Sequence, residues 1–378
     1  MATAHDLGQL VRERSIIICC GSGGAGKTTT SAAIALAGAH AGRKACVVTI
    51  DPARRLADAL GLGSLGNTPT RIEGDWPGEL SALMLDAKGT FDDLVGRYSE
   101  GPEQAERILS NPLYRNLTSA LSGTQEYMAA EKLYELHESG DFDLVVVDTP
   151  PTRNALDFLD APGRLTRFLE NRVFRLLLMP GRASMKALSV ATQVLLRTIS
   201  RVAGSEIVED AMAFFRAFDG MEQGFRDRAR RVDQLLADPG TAFVLVAAPR
   251  RDSVGEARFF SERLAEAGLP VAALVMNRVH PDFRAGEIGP GVVDETSLAV
   301  VDVPGDAEGA RVLLAALRQN LAGLEFVVAE ERGYMAQLEG GVEGAIAQVP
   351  YLRDDVHDLA GLSLVAEYVV GQVASGRG

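Results

Sequence analysis

The chain has 378 residues, of which 47% are hydrophobic, and its formal net charge is −13 at pH 7. This content is enough to bury a large core, and the acidic balance argues against nucleic acid as a partner bound through bulk electrostatics. Three cysteines without a C-x-x-C pair argue against a disulfide framework or a structural zinc site, and we expect no run to approach the ~20 apolar residues of a membrane span.

The most informative element follows a strand predicted at residues 16–20, where a glycine-rich turn leads into a helix. Gly21, Gly26, Lys27 and Thr28 satisfy the spacing G-x-x-x-x-G-K-T of a phosphate-binding loop. Backbone amides and the N-terminus of the helix would hold phosphate oxygens, Lys27 would reach the β and γ phosphates, and Thr28 would help to hold Mg²⁺. The predicted nucleotide-binding residues of the loop are Gly21, Ser22, Gly23, Gly24, Ala25, Gly26, Lys27, Thr28 and Thr29.

A second predicted strand, at residues 45–50, ends at Asp51. The carboxyl ends of parallel strands meet at one edge of a sheet, so Asp51 is expected beside the phosphate loop. A carboxylate there would orient or deprotonate an attacking water. The alternative is that Asp51 caps the next helix, a role we favour for Asp58 instead.

A third predicted strand, at residues 144–147, carries four apolar residues and ends in Asp148. This is the Walker-B arrangement, in which the carboxylate holds Mg²⁺ through a water. Pro150 and Pro151 follow and indicate a constrained loop that responds to the γ phosphate, as switch segments do.

The remaining pattern predicts an α/β fold with a mostly parallel, doubly wound sheet. Further strands are expected at residues 81–85, 243–247, 271–276 and 345–349, separated by helices, as in crossover units. The intervals of about 89–138 and 160–237 are too long and too helical to be simple crossovers. We interpret them as helical insertions that form a lobe for a client or partner, within one domain spanning residues 1–378.

The second insertion contains an unusually basic stretch. Residues 163–203 carry eight basic side chains and one acidic side chain, with apolar residues at a three-four spacing. The stretch is either an ordinary amphipathic helix or a surface for a client helix, an acidic partner or an anionic lipid. We expect a cytoplasmic protein, with peripheral attachment to a membrane as an open alternative.

Asn277 follows the predicted strand 271–276. Its amide has a paired donor and acceptor that match the edge of adenine, while a role as a turn residue is the alternative.

Together, these segments resemble the ArsA-like ATPases, the arsenite-pump and tail-anchored-protein-targeting family of the deviant-Walker P-loop class, and most of all its actinobacterial anion-transporter branch. The resemblance implies a magnesium-dependent ATPase that binds ATP and Mg²⁺ as a dimer, with nucleotides at the subunit interface. It implies that Asp51 activates water, Asp148 supports the metal, Asn277 reads adenine and Pro350 closes over the base. The segments that carry it are the phosphate loop, residues 51–53, 121–126 and 148–152, Asn277 and residues 349–352.

The chain departs from this family at Ser22, where the family usually has a lysine that crosses the dimer to the neighbouring nucleotide. Three explanations remain open: a heterodimer with a lysine-bearing paralogue instead of a homodimer, a charge supplied by Arg54 or Arg153, or a slow ATPase used as a binding switch. The cysteines that bind arsenite or zinc in the family have no counterpart. A partitioning or positioning ATPase is the alternative function, although residues 358–368 carry no basic side chain for a membrane helix.

Overall fold

The computed structural model of the protein describes residues 6–51, 55–112, 114, 124–150, 213–214, 217, 220–283, 307–340, 342 and 344–371. Among these residues, eight strands form one sheet. They are β1 (Ile16–Gly21), β2 (Lys44–Thr49), β3 (Thr70–Ile72), β4 (Glu79–Met84), β5 (Leu144–Asp148), β6 (Thr241–Ala247), β7 (Val271–Val279) and β8 (Ala345–Pro350). Their order across the sheet is β3, β4, β2, β5, β1, β6, β7, β8.

The sheet is parallel except at one edge, where β3 pairs antiparallel with β4. The central strands β1 and β5 are buried along their whole length, which explains why both read as continuous apolar runs. All seven strands predicted from the sequence are confirmed. The eighth, β3, was missed because it has only three residues, of which one is buried, and so carries no detectable pattern.

Helices cover both faces of the sheet, and the predicted doubly wound α/β fold is confirmed. One face packs against α1, α2, α3 and α10, and the other against α4 to α8. The helices are α1 (Leu7–Glu13), α2 (Lys27–His40), α3 (Arg55–Ala59), α4 (Ala87–Tyr98), α5 (Pro102–Leu109), α6 (Thr124–Ser139), α7 (Glu222–Leu236), α8 (Arg251–Glu266), α9 (Ala307–Glu339) and α10 (Leu359–Val370).

The described parts of the two predicted insertions are helical and pack on the sheet. Helices α4, α5 and α6 come from the first interval, and α7 from the end of the second. Both α6 and α7 contribute to the apolar layer on one face of the sheet. The basic stretch at residues 163–203 lies outside the described residues, so the lobe for a client remains a prediction.

A buried ion pair joins α6 to α7. The Nε atom of Arg228 donates to Glu131 Oε1 at 2.7 Å, and its Nη1 donates to Glu138 Oε2 at 2.8 Å. The side chains of Arg228 and Glu131 are 3% and 1% exposed. The guanidinium also lies 3.8 Å from the centre of the Tyr134 ring, where it gains a cation–π contact.

Helix α9 corrects the expectation that no segment has the apolar length of a membrane span. An 18-residue window within its residues Arg311–Glu339 has a mean hydropathy of 1.5, and by length and composition alone the helix is sufficient to cross a membrane. Only 11% of that window is buried among the described residues, and Val312 and Phe326 are among the exposed apolar side chains of the helix.

The pair of Arg228 and Glu131 generates a prediction about stability. Glu131→Gln leaves the buried guanidinium of Arg228 with only the half-exposed Glu138 as a counter-charge and is expected to lower the free energy of unfolding by about 3–5 kcal/mol in urea titrations. The matched control Glu138→Gln removes a half-exposed partner of the same arginine and is expected to cost under about 1 kcal/mol. Equal stability of the two variants would contradict a structural role for the buried pair.

Candidate functional site

The phosphate loop lies between the end of β1 and the start of α2, and two glycines allow neighbouring strands to pack against it. A Cβ atom at Gly21 would lie 1.9 Å from the carbonyl oxygen of Val246, at the end of β6. A Cβ atom at Gly26 would lie 2.0 Å from Asn277 Nδ2, and Gly26 also has a φ of +91°. Any larger side chain at either position would push β6 or β7 away from the loop.

The N-terminus of α2 has the features of an anion site. Gly26 is the N-cap residue and supplies no side-chain hydrogen bond, so no capping side chain occupies the first backbone N–H groups of the helix. These groups and the positive end of the helix dipole favour a bound anion. The loop between Gly21 and Lys27 therefore fits phosphate.

Lys27 is held inside the loop. Its Nζ atom donates to the carbonyl oxygen of Ser22 at 2.9 Å, and the residue is 7% exposed. Burial lowers the pKa of Lys27, while the negative charge of Asp148 opposes that effect. Among the described residues this buried ammonium donates to one neutral acceptor, which a phosphate oxygen can replace.

Asp148 lies at the centre of the site. Its Oδ2 atom accepts hydrogen bonds from Thr28 Oγ1 at 2.7 Å and from Thr49 Oγ1 at 2.9 Å. Its Oδ1 atom is buried and has no hydrogen-bond partner in the described part of the chain. Burial raises the pKa of Asp148 to about 6, against the opposing hydrogen bonds from Thr28 and Thr49. An unpartnered carboxylate oxygen beside a threonine hydroxyl fits a hydrated Mg²⁺ ion.

Asp51 lies two residues beyond the end of β2 and is connected to this centre. Its backbone N–H donates to Thr49 Oγ1 at 3.2 Å, the same hydroxyl that donates to Asp148. Its side chain is 27% exposed and lies 3.6 Å from the guanidinium of Arg55. Gln125 at the start of α6 donates to the carbonyl oxygen of Ile50 at 3.2 Å, which ties the Asp51 segment to the helical layer.

Asn277 braces the phosphate loop. Its Nδ2 atom donates to the carbonyl oxygen of Ala25 at 2.9 Å, and its Oδ1 atom accepts from the backbone N–H of Arg278 at 2.9 Å. Strand β7 pairs with β8 so that Val349 lies opposite Asn277 and Pro350 lies opposite Val279. The structure therefore brings Asn277 and Pro350 to the same edge of the sheet.

Ser22 is buried and engaged within its own chain. Its Oγ atom lies 2.6 Å from Ser253 Oγ, in the first turn of α8, and the residue is 4% exposed. Ser253 Oγ also accepts from the backbone N–H of Ala248 at 2.9 Å. The hydroxyl that stands where the resemblance led us to expect a crossing lysine thus holds α8 against the loop. Arg54 and Arg153, the two arginines considered as its substitute, lie outside the described residues.

Three residues of the site were missed by the sequence analysis: Thr49, Ser253 and Arg278. Thr49 carries a detectable signal, since it is a hydroxyl residue at the end of a predicted strand two positions before Asp51. Ser253 and Arg278 carry none, because their contacts with Ser22 and Gly24 join segments that are more than 200 residues apart.

Comparison with known proteins gives one family match and several relatives. A family model described as anion-transporting ATPase matches residues 14–288, which is most of the chain. The ATPase ASNA1 homolog of Cryptosporidium parvum is 28% identical over 292 residues, which are 76% of this chain and 72% of that protein.

Two further relatives match over a smaller share of their own length. ATPase GET3A of Arabidopsis thaliana is 27% identical over 262 residues, 68% of this chain and 65% of that protein. An uncharacterized protein of Streptomyces coelicolor is 32% identical over 267 residues, 70% of this chain and 63% of that protein. The matched segment thus spans less than two thirds of either relative.

The raised pKa of Asp148 generates a prediction about stability. The carboxylate of Asp148 binds a proton more tightly in the folded protein than in the unfolded chain, where an Asp has its ordinary pKa of 3.8. Ionisation of Asp148 therefore destabilises the fold as pH rises from about 4 through about 6. At pH 7 and without Mg²⁺, Asp148→Asn is therefore expected to raise the free energy of unfolding by about 1–3 kcal/mol. The exposed control Asp141→Asn is expected to change it by less than about 0.5 kcal/mol. If Asp148→Asn is less stable than that control, burial of the ionised carboxylate does not destabilise the fold.

Proposed function

The chain belongs to the family of anion-transporting ATPases, and we propose that it is a magnesium-dependent ATPase that acts as a dimeric molecular switch. The observation that carries the proposal is the cluster of Thr28, Asp148 and Thr49 beside a phosphate loop. Its geometry leaves one buried carboxylate oxygen available for a cation next to the anion site at the start of α2.

The phosphate loop would bind the triphosphate through the backbone of residues 21–26 and the first turn of α2. Lys27 would release the Ser22 carbonyl and donate to the β and γ phosphates. Asn277 and Pro350 would border the adenine, with Asn277 holding Ala25 in place from the other side of the loop. Ala25, Lys27 and Asn277 are buried, which supports a loop geometry that is largely formed before any ligand binds.

Thr28 and Asp148 would hold Mg²⁺, Thr28 directly and Asp148 through a water. When bound, the ion would supply positive charge that stabilises the phosphate oxygens. Thr49 holds Asp148 in position, because its hydroxyl donates to Oδ2 while Oδ1 remains available. The chemistry of this donor set, hydroxyl and carboxylate oxygens, is the one that Mg²⁺ prefers.

Asp51 would orient the attacking water and accept its proton. The hydroxyl of Thr49 contacts both Asp148 and the backbone of Asp51. Binding or loss of Mg²⁺ at Asp148 would therefore change the position of Asp51. Gln125 then connects the Asp51 segment to α6. A shift of this segment on ATP binding or hydrolysis would reach the helical layer, where we place the coupling to a protein or transport partner.

The subunit partner is either a second copy of this chain or a lysine-bearing paralogue. Support for the second comes from Ser22, whose hydroxyl is bonded to Ser253 of its own chain and carries no charge to send across a dimer. In a heterodimer, the paralogue's lysine would cross the interface to the nucleotide bound by this chain. The paralogue's own nucleotide would receive no such lysine, because this chain has Ser22 at that position.

Asp51→Asn tests the proposed function. The variant retains the size and most hydrogen bonds of the residue but cannot accept a proton, so kcat for ATP is expected to fall by about 10²- to 10⁴-fold. Affinity for a non-hydrolysable ATP analogue is expected to stay within about threefold, since Asp51 is not placed among the phosphate-binding groups. Phosphate release and equilibrium binding measure the two quantities.

The control for this experiment is Asp58→Asn, which removes an exposed carboxylate from the helix that follows Asp51. Its turnover should match that of the unaltered protein. Turnover of Asp51→Asn within a few-fold of this control would refute the assignment of Asp51 as the base.

A further inference from the structure

Arg278 has a backbone conformation that its side chain disfavours. Its φ is +62°, and among the described residues it is the only one other than glycine with a positive φ. For a residue with a Cβ atom, the left-handed region is strained and persists only where the surrounding structure imposes it. Such strain concentrates at functional sites.

The surroundings of Arg278 show what imposes this conformation. The pairing of β7 with β8 shifts between Asn277 and Val279, so that Arg278 lies in an irregularity of the ladder. Its backbone N–H donates to Asn277 Oδ1 at 2.9 Å, while the amide of the same Asn277 holds Ala25. Irregularities of this kind re-aim a side chain at the edge of a sheet.

The re-aimed side chain reaches the phosphate loop. Arg278 Nη1 donates to the carbonyl oxygen of Gly24 at 3.3 Å, and both Arg278 and Gly24 are exposed. Within the part of the chain that the structure describes, Arg278 forms no salt bridge. A guanidinium has five donors in a fixed plane that suit phosphate oxygens, and a single contact with one neutral carbonyl leaves most of them available.

We propose that Arg278 is the cation that supplies, in this chain, the charge that Ser22 lacks: its guanidinium exchanges the Gly24 carbonyl for phosphate oxygens of the nucleotide bound in the same loop. The inference rests on the proposed function, because it assigns a further residue to the same phosphate site. It makes Arg54, Arg153 and the lysine of a paralogue unnecessary as the source of this charge. The strained backbone of Arg278 is then the means by which the chain places a guanidinium over the loop.

Glycine at this position separates the two roles that Arg278 could have. Arg278→Gly retains the left-handed conformation without strain and removes only the side chain. If the side chain serves solely to brace Gly24, the variant should loosen the loop and weaken every ligand alike. If it binds phosphate, the variant should keep or gain stability and lose affinity only for ligands with phosphates.

The experiment measures binding of a non-hydrolysable ATP analogue and of adenosine to the full chain by calorimetry, together with the melting temperature without nucleotide. For Arg278→Gly we expect a melting temperature equal to or above that of the unaltered protein. Affinity for the ATP analogue is expected to fall roughly 10- to 100-fold, as for a lost charge-assisted contact, with adenosine affinity unchanged. Arg278→Lys, which keeps the charge without the planar fork, should lie between the two.

Arg250→Gln is the matched control. Arg250 is the exposed N-cap residue of α8, three residues before the serine that contacts Ser22, and removing it takes the same charge from the same region. Its affinity for the ATP analogue should change by less than about threefold. Equal affinities of Arg278→Gly and the unaltered protein, or a parallel loss for adenosine, would overturn the role of Arg278. Absence of ATP-analogue binding in the unaltered protein would instead overturn the proposed function.

Discussion

The site depends on one carboxylate that is buried between two hydroxyls. Asp148 accepts from Thr28 on α2 and from Thr49 on β2, and Thr49 also accepts from the backbone of Asp51. These contacts form a continuous chain from the phosphate loop to the candidate base. The remaining oxygen of Asp148 has no partner among the described residues, and burial of an unpaired charge is costly. A cation at that oxygen would remove this cost and fix the whole chain of contacts.

The sheet explains how this arrangement arises from distant segments. Cys19 of β1 and Thr49 of β2 are both in register with Asp148 of β5, so the ends of three parallel strands meet at one edge. Strands β6 and β7 then hold the phosphate loop from the other side. Val246 lies against Gly21, and Asn277 holds Ala25 and abuts Gly26. Since helices cover both faces of the sheet, the strand ends around Asp148 have little freedom to move and relieve the cost of its unpaired charge.

Much of this was predictable because the chemistry lies at strand ends. Continuous apolar runs predicted the strands, and the first polar residues after them, Asp51 and Asp148, fall beside the loop. Contacts set by register were not predictable: Thr49 meets Asp148 only because β2 and β5 pair in one register, and Ser22 meets Ser253 across 231 residues. Residue type also gives no sign that Arg278 is left-handed. The apolar length of α9 was missed because Arg318 and Glu325 interrupt its sequence.

The central claim is that the cluster around Asp148 is a metal site that forms together with bound nucleotide. Electron paramagnetic resonance of Mn²⁺, used in place of Mg²⁺, tests it most directly by counting bound ions with and without ADP. The account predicts one tightly bound Mn²⁺ per chain when ADP is present, at least about tenfold weaker binding in its absence, and loss of the bound ion in Thr28→Val. Equal Mn²⁺ binding with and without ADP, or retention of the ion in Thr28→Val, would contradict it.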